Sequence, residues 1–272
     1  GNLTGTVATA AQNSITTATG LVTVGASGTL STVAGIPLYA VSGDLSLYTH
    51  NVSGTDDTAN YNTAIGYTAL DAVTTGDSNT AMGYAALGAN NAGYDNVAIG
   101  HNAMVTSTTS QSNVAIGYTA LDALTTGSNN VAVGTNSGAQ NSMIRLTTEN
   151  DRAVFGSNAT TNSYVKVDWT VTSDQRDKTD ITDFTHGLDY ANQLRPVNYV
   201  WDERSNYENG IPDGSKKKSD VQLGFLAQEV QAIETGLGID NNAIVDTEFP
   251  DSLKMTNVKL IPVLVKAIQE LS

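Results

Sequence analysis

A short pattern of polar, small apolar and larger apolar positions recurs along the first half of the chain. Each copy has Asn, then Thr or Val, then Ala, then Ile, Met or Val, and ends in Gly. The copies start at intervals of 17 residues, at Asn62, Asn79, Asn96, Asn113 and Asn130. A fixed interval of this length is typical of solenoids, in which each repeat covers the apolar face of the next.

Within one repeat, the pattern predicts a short β-strand that places Ala and the larger apolar residue on opposite faces. Gly fits a turn or a close approach of two backbones, and Asn fits either a turn or an inward amide ladder between coils. Helix is disfavoured, because Thr, Val, Asn and Gly are weak helix formers. Residues 61–140 are therefore predicted to form β repeats. The fifth repeat, with Ser137 and Gly138 in place of Ala and Leu, is interpreted as a capping repeat.

The rest of the chain divides by composition. Residues 1–60 are rich in Thr, Val and Gly, with strand-like stretches at 20–24 and 36–41, and are predicted to be a β-rich stalk segment. Residues 141–172 are predicted to be a connecting β segment. Residues 173–272 contain 27 charged residues in 100, against 13 in the preceding 172, as in an ordinary globular domain. The predicted fold is a mainly β stalk followed by a small α+β domain ending in a helix.

Charge and composition exclude several functions. The net charge of −14 provides no cationic field for nucleic acid or anionic membrane surfaces, and no apolar run is long enough for membrane insertion. Without Cys, disulfides and thiolate nucleophiles are excluded, and three widely separated His residues disfavour a His-built metal site. No cofactor or metal is predicted. The start at Gly1, without Met or a signal-like segment, suggests a fragment or a processed form.

One position of the repeat has two interpretations. The residue after each Gly is aromatic in four of the five repeats, at Tyr67, Tyr84, His101, Tyr118 and then Thr135. A row of rings could contact glycans, or it could pack between protomers while the repeats act as a spacer.

The last segment also has two interpretations. Ile261, Leu264, Ile268 and Leu271 are spaced by 3, 4 and 3 residues, which is the spacing of a coiled-coil seam, with Pro262 in the first turn of the helix. Burial in the core of the domain would produce the same pattern.

At the boundary between the two parts, Ser173 is followed five residues later by Lys178. Alone, this pair is compatible with a capped, solvated turn or with a Ser/Lys catalytic dyad. In its context, the pair is part of a motif formed by Ser173, Asp174, Arg176, Lys178 and Ile181, and three further stretches follow in order, at residues 194–201, 223–230 and 260–271. Together these four motifs resemble the C-terminal intramolecular chaperone domain of phage tailspikes and tail fibres, the self-cleaving endosialidase type. The first motif matches the opening pattern of that family.

The resemblance implies self-cleavage between Thr172 and Ser173 by a Ser173/Lys178 dyad, with Asp174 and Arg176 in support. Arg176 would be a cation beside Lys178 or an anchor for Asp174 or Asp180. Lysine acts as a base only when neutral, so the amine needs burial or a nearby cation. Asp177 stands where the family usually has an apolar residue, and its carboxylate would keep the amine charged if the two side chains met. A chaperone domain that is retained uncleaved is therefore the alternative.

The repeats resemble the heads of trimeric autotransporter adhesins, which form parallel β-rolls in three-fold assemblies. Together the resemblances imply a structural phage tail-fibre or tailspike protein, assembled in the bacterial cytoplasm and located in the virion. Its expected partners are two further copies in a homotrimer, tail or baseplate proteins, and a host surface glycan or protein receptor. The only enzymatic activity implied is a single-turnover autoprotease. A trimeric bacterial surface adhesin is the alternative.

Overall fold

The computed structural model describes residues 32–33, 36–37, 47–48, 58–139, 144–160, 162–239 and 243–272. The chain divides into two compact units: residues 1–133 with 147–153, and residues 134–146 with 154–272. The strands of the first part are β1 (Thr32–Val33), β2 (Ile36–Pro37), β3 (Leu47–Tyr48), β4 (Thr63–Ile65), β5 (Thr80–Met82), β6 (Val97–Ile99), β7 (Val114–Ile116), β8 (Val131–Val133) and β9 (Ala153–Phe155).

The repeats form a parallel β-solenoid, as predicted. Strands β3 to β9 lie in sequence order in one sheet, and β4 to β8 pair in parallel with a register of 17 residues. The coils between residues 63 and 133 therefore stack with equivalent residues in contact. One repeat of the sequence is one turn of the solenoid.

Each coil of the solenoid buries the Ala of its strand and a Leu or Met of its second half, and leaves the last residue of the strand on the surface. The Ala of each strand is fully buried, and so is the Leu or Met that begins the second half of the coil, as at Leu70 and Met104. The last strand residue points outward: Ile65 is 39 % exposed and Met82 43 %. The predicted opposition of Ala and Ile is confirmed, and the larger residue is the one left on the surface.

A ladder of buried Asn side chains runs through the coils. The Nδ2 of Asn96 donates to Oδ1 of Asn79 at 3.0 Å and to the carbonyl of Ser110 at 2.8 Å. The same contact joins Asn113 to Asn96 and Asn130 to Asn113, each at 3.0 Å. Of the two roles considered for this Asn, the structure contains the inward ladder. Each amide satisfies backbone groups that the short strands leave without a partner.

The Gly that ends each strand has both predicted properties. Gly100 has φ of 137°, and a Cβ added there would lie 2.2 Å from the carbonyl oxygen of Gly117. The fifth repeat differs from the prediction, because β9 follows β8 in the sheet and the repeat is not terminal. Ser137, which replaces Ala, is buried and donates to the carbonyl of Val154 at 2.8 Å. The interval from the start of β8 to the start of β9 is longer than 17 residues, so β9 falls outside the spacing of the repeats.

The second unit contains a small α+β region ending in a helix, as predicted. Its elements are α1 (Gly187–Gln193), β10 (Val197–Tyr199), β11 (Gln222–Gly224), α2 (Ala227–Gly236), β12 (Val245–Asp246), β13 (Lys254–Met255) and α3 (Leu260–Leu271). Two antiparallel pairs, β10 with β11 and β12 with β13, alternate with the helices. The core is formed by Tyr190, Val230, Ile233, Ile244, Val245, Leu260 and Val263.

Some predicted strands fall outside the described residues. The stretch at 20–24 lies there, and of 36–41 the structure describes Ile36–Pro37, which pairs with Thr32–Val33. Within the described residues of 141–172, β9 is the strand, and residues 162–172 have no regular structure. No helix in the described ranges is both long and apolar enough to cross a membrane.

Candidate functional site

One turn of 3₁₀ helix shapes the segment around Ser173. Gln175–Asp177 form the turn, and the carboxylate of Asp174 caps it by accepting from the backbone N–H of Arg176 at 2.9 Å. Lys178 ends it, with its N–H donating to the carbonyl of Gln175 at 3.1 Å. The backbone on both sides of the turn, at Asp174 and Lys178, is extended.

The turn brings Ser173 and Lys178 together. The Nζ of Lys178 lies 2.6 Å from the Oγ of Ser173 and 3.3 Å from the Ser173 carbonyl oxygen. A nucleophile and its base must lie within about 2.6–3.2 Å for proton transfer, so the pair has the required geometry. The catalytic roles of both residues remain predictions.

Asp174 and Arg176 form an ion pair beside the dyad. The guanidinium contacts the carboxylate through two nitrogens, with Nη2 to Oδ2 at 2.6 Å and Nε to Oδ1 at 3.1 Å. The side-chain hydrogen bond from Arg176 and then its backbone N–H lower the pKa of Asp174, and the same pair raises the pKa of Arg176. Of the roles considered for Arg176, the structure contains the anchor to Asp174. The pair fixes the turn on which the dyad depends.

Asp177 does not meet the amine. In the described part of the chain no ion pair joins Asp177 to Lys178, whose nitrogen contacts Ser173. Ser173, Asp177 and Lys178 are all exposed in the single chain, as is Thr172 on the other side of the predicted scissile bond. The site therefore has its geometry within one chain, with both side chains of the pair open to solvent.

Helix α3 has two apolar faces. Leu260, Val263 and Ala267 are buried. Ile261 is 57 % exposed and Ile268 66 %, and Leu264 and Leu271 are exposed as well. Core burial of these four residues is therefore wrong for the single chain. The predicted seam is an unpartnered apolar surface.

The row of aromatic residues lies on the surface of the solenoid. Tyr67, Tyr84, His101 and Tyr118 stack in order, with ring centroids 6.0, 4.8 and 5.3 Å apart and planes within 24° of parallel. The three Tyr side chains are at least half exposed. Each inner ring presents its faces to its neighbours and its edge to solvent.

A buried carboxylate lies in the core of the second unit. Glu234 accepts from the backbone N–H groups of Ile244 at 2.7 Å and Val245 at 3.4 Å. It borders a mainly apolar cavity of about 280 Å³, together with Tyr190. Burial, and then the charge of Glu234, raise the pKa of Tyr190 to about 12. Glu234 was not singled out in the sequence, although its position in the turn after Val230 and Ile233 placed it on the apolar face of α2. Among the described residues no group of three or more His, Asp or Glu side chains could hold a metal.

Residues 162–172 belong to the stretch for which a connecting β segment is predicted. In this stretch Val165, Val167, Trp169 and Val171 alternate with polar residues, which is a strand pattern readable in the sequence.

Comparison with known proteins gives one family. Residues 173–239 match the family described as chaperone of endosialidase, so that the match begins at Ser173 and covers 67 of the 272 residues. This finding supports the C-terminal chaperone domain. No curated protein and no solved structure matches the chain.

Proposed function

We propose that residues 173–272 are an intramolecular chaperone, which assembles the β-solenoid into a homotrimeric phage fibre or tailspike and is then released by self-cleavage between Thr172 and Ser173. The observation that carries the proposal is the 2.6 Å contact between Lys178 Nζ and Ser173 Oγ. This contact lies at the first residue of the match to the chaperone family.

The chemistry needs no group outside the chain except water. Neutral Lys178 takes the proton of the Ser173 hydroxyl, and Oγ attacks the carbonyl carbon of Thr172. The C–N bond breaks, the acyl group of Thr172 passes to Oγ as an ester, and the Ser173 nitrogen receives the proton. Water then hydrolyses the ester, which leaves a Thr172 carboxylate and restores the Ser173 hydroxyl.

Trimer formation is supported by the exposed seam of α3. Its spacing of 3, 4 and 3 suits packing between helices, and an isolated chain would leave these side chains in water. The outer face of the solenoid carries a second apolar row, one residue per coil. Its members are Ile65, Met82, Ile99, Ile116 and Val133.

Folding physics gives the reason for such a domain. Contacts between chains and between distant residues form slowly and are prone to register errors. A C-terminal domain that trimerises first raises the effective concentration of the three stalks and aligns them. Removal of the domain after assembly makes folding of the fibre irreversible, so that the fibre is kinetically stable.

The proposal places the protein in the virion, with tail or baseplate proteins and a host glycan or protein receptor as partners. The stacked rings of Tyr67, Tyr84, His101 and Tyr118 are one exposed aromatic surface available to such a receptor.

The first test is denaturing mass analysis of freshly expressed chain beside Ser173→Ala and Lys178→Arg. Wild type should yield pieces of 172 and 100 residues with a new N-terminus at Ser173. Both variants should stay whole. Ser219→Ala and Lys217→Arg are matched controls at exposed positions and should cleave like wild type.

Native mass analysis of the same samples tests assembly separately. A trimer of intact wild-type chains would overturn the release step and leave the chaperone as a permanent cap. A monomer of Ser173→Ala would overturn the assembly role.

A further inference from the structure

We infer that residues 162–172, here termed the upstream segment, form a β-strand that pairs with the same segment of two other copies of this chain and presents the scissile bond to the dyad. The inference rests on the proposed trimer and deepens it by naming the interface beside the cleavage site.

The upstream segment has the side-chain pattern of a strand with one buried face. Val165, Val167, Trp169 and Val171 occupy the odd positions, and polar residues occupy the even positions from Lys166 to Thr172. β-Branched and aromatic residues in strict alternation are the strongest strand signal available. A strand with this pattern requires an apolar environment on one side only.

The single chain does not provide that environment. Val167 is 75 % exposed, Trp169 75 % and Val171 77 %. Nor do residues 163–172 make backbone hydrogen bonds within the described part of the chain. The stretch from Val165 to Val171 therefore has a strand-forming residue at every second position but no ladder partner among the described residues, and such a segment becomes ordered by joining another strand.

Further copies of the chain are the occupants that fit. The segment carries one Lys and one Asp, at positions 166 and 168, and is neutral in a chain of net charge −14. Three copies can therefore approach at this point without the repulsion that the rest of the chain would generate. The segment also leads directly into the region that begins the chaperone match, so association of that region delivers three upstream segments together.

The arrangement follows from the two faces. In a three-fold bundle of parallel strands the odd positions face the axis, where three copies of Trp169 and Val171 form a dry core. The even positions, including Thr172, face outward. Ser173 is the first residue after this strand, so the Thr172–Ser173 bond lies at the end of the bundle, beside the contact between Ser173 and Lys178.

Cysteine scanning tests this arrangement, because the natural chain has no Cys and every crosslink is assignable. In the Ser173→Ala background, Val167→Cys and Val171→Cys should form interchain disulfides under mild oxidation. Their neighbours Lys166→Cys and Thr170→Cys are matched controls and should form several-fold fewer. Equal crosslinking at odd and even positions in a sample that is trimeric by native mass would overturn the strand and leave the trimer intact. A monomeric sample would overturn both.

Fluorescence gives a second measurement for variants that fold poorly. With Trp201→Phe, the emission comes from Trp169 alone. Assembly should shift this emission to shorter wavelength and reduce quenching by acrylamide several-fold, relative to a monomer obtained by placing a charge on the α3 seam with Leu264→Asp. Full quenching in a proven trimer would contradict the inference.

Discussion

The side chain of Asn96 is bonded to both neighbouring coils through Asn79 and Asn113. Its Nδ2 donates to Oδ1 of Asn79 at 3.0 Å, and its own Oδ1 accepts from the Nδ2 of Asn113 at 3.0 Å and from the backbone N–H of Asn113 at 3.1 Å. Asn96 is fully buried. Each coil is thus tied to the next by side-chain amides in addition to the strand ladder.

Replacement of Asn96 by Ala should destabilise the solenoid by about 2–4 kcal/mol, because it removes the acceptor of the buried Asn113 backbone N–H and the amide that donates to the Ser110 carbonyl, and it breaks both side-chain links of the ladder at this coil. Asn91→Ala is the control, since the Asn91 side chain is exposed and accepts a surface bond from Thr74. Thermal unfolding of the full chain in the Ser173→Ala background measures both. Equal melting temperatures would contradict the structural importance of the ladder.

Helices α1 and α3 approach closely at Gly187. A Cβ added there would lie 2.4 Å from the backbone nitrogen of Ala267. Gly187→Ala should therefore force the helices apart and cost about 1–3 kcal/mol. Gly236→Ala, at the end of α2 with nothing within 4 Å of the added carbon, should change stability by less than about 0.5 kcal/mol. Denaturant unfolding of the same background distinguishes the two. A neutral Gly187→Ala would refute this packing.

Charge on the α3 seam should block assembly without unfolding the domain. Leu264→Asp or Ile268→Asp places a carboxylate where the seam would be buried, and each lost apolar contact costs about 1.5–3 kcal/mol before the charge is counted. Native mass should report monomer, while circular dichroism retains the helical signal. Gln269→Asp adds the same charge at an exposed polar position and should remain trimeric. A trimeric Leu264→Asp would show that the seam lies outside the interface.

Acid should weaken the end of the solenoid through Glu149. Burial acts to raise the pKa of Glu149, but hydrogen bonds from the backbone of Thr147, Glu149 and Thr148 together lower it below 4.5. Because the pKa is lower in the folded state, the carboxylate contributes to the stability of the fold above about pH 4.5. This contribution is lost as the pH falls through the lower folded value. The carbonyl of the same residue accepts from Asn130 Nδ2 at 2.8 Å, so the loop closes a coil.

The corresponding variant is Glu149→Gln. Its melting temperature should lie below that of the parent near pH 7, and the difference should shrink as the pH falls below 4.5. Glu208→Gln, at an exposed residue of the second unit, should show no such convergence. A constant difference across the pH range would indicate that the carboxylate charge contributes nothing.

The sequence predicted the solenoid because its physical cause is periodic. A 17-residue interval places equivalent residues of successive coils in register, as with Ala64 and Ala81. The stacking of the coils follows from this repetition. The extension to β9 escaped prediction because the longer unit before it breaks the interval, and pairing is then decided by tertiary contacts. Whether Asn faced inward was also undecidable, since a turn and a ladder favour the same residue.

The dyad was less accessible to such reasoning. The spacing of Ser173 and Lys178 fits many local structures, and the family resemblance singled the pair out before any geometry was known. Their contact depends on the 3₁₀ turn, and the sequence indicates Asp174 as a capping residue. It also depends on the ion pair of Arg176 with Asp174, and the sequence offered several possible partners for Arg176. The exposure of Ile261 and Ile268 was equally undecidable, because periodicity identifies an apolar face without identifying what covers it.

The 17-residue register gives every repeat the same contribution to the length of the solenoid. Each coil bonds chiefly to the coils on either side, so insertion or deletion of one repeat leaves every remaining contact type unchanged. Adding one repeat lengthens the solenoid by about 4.8 Å, which is the spacing of neighbouring strands. Duplication of whole repeats in the gene can therefore change the length of the solenoid in small, equal steps, while the chaperone region that follows needs no alteration.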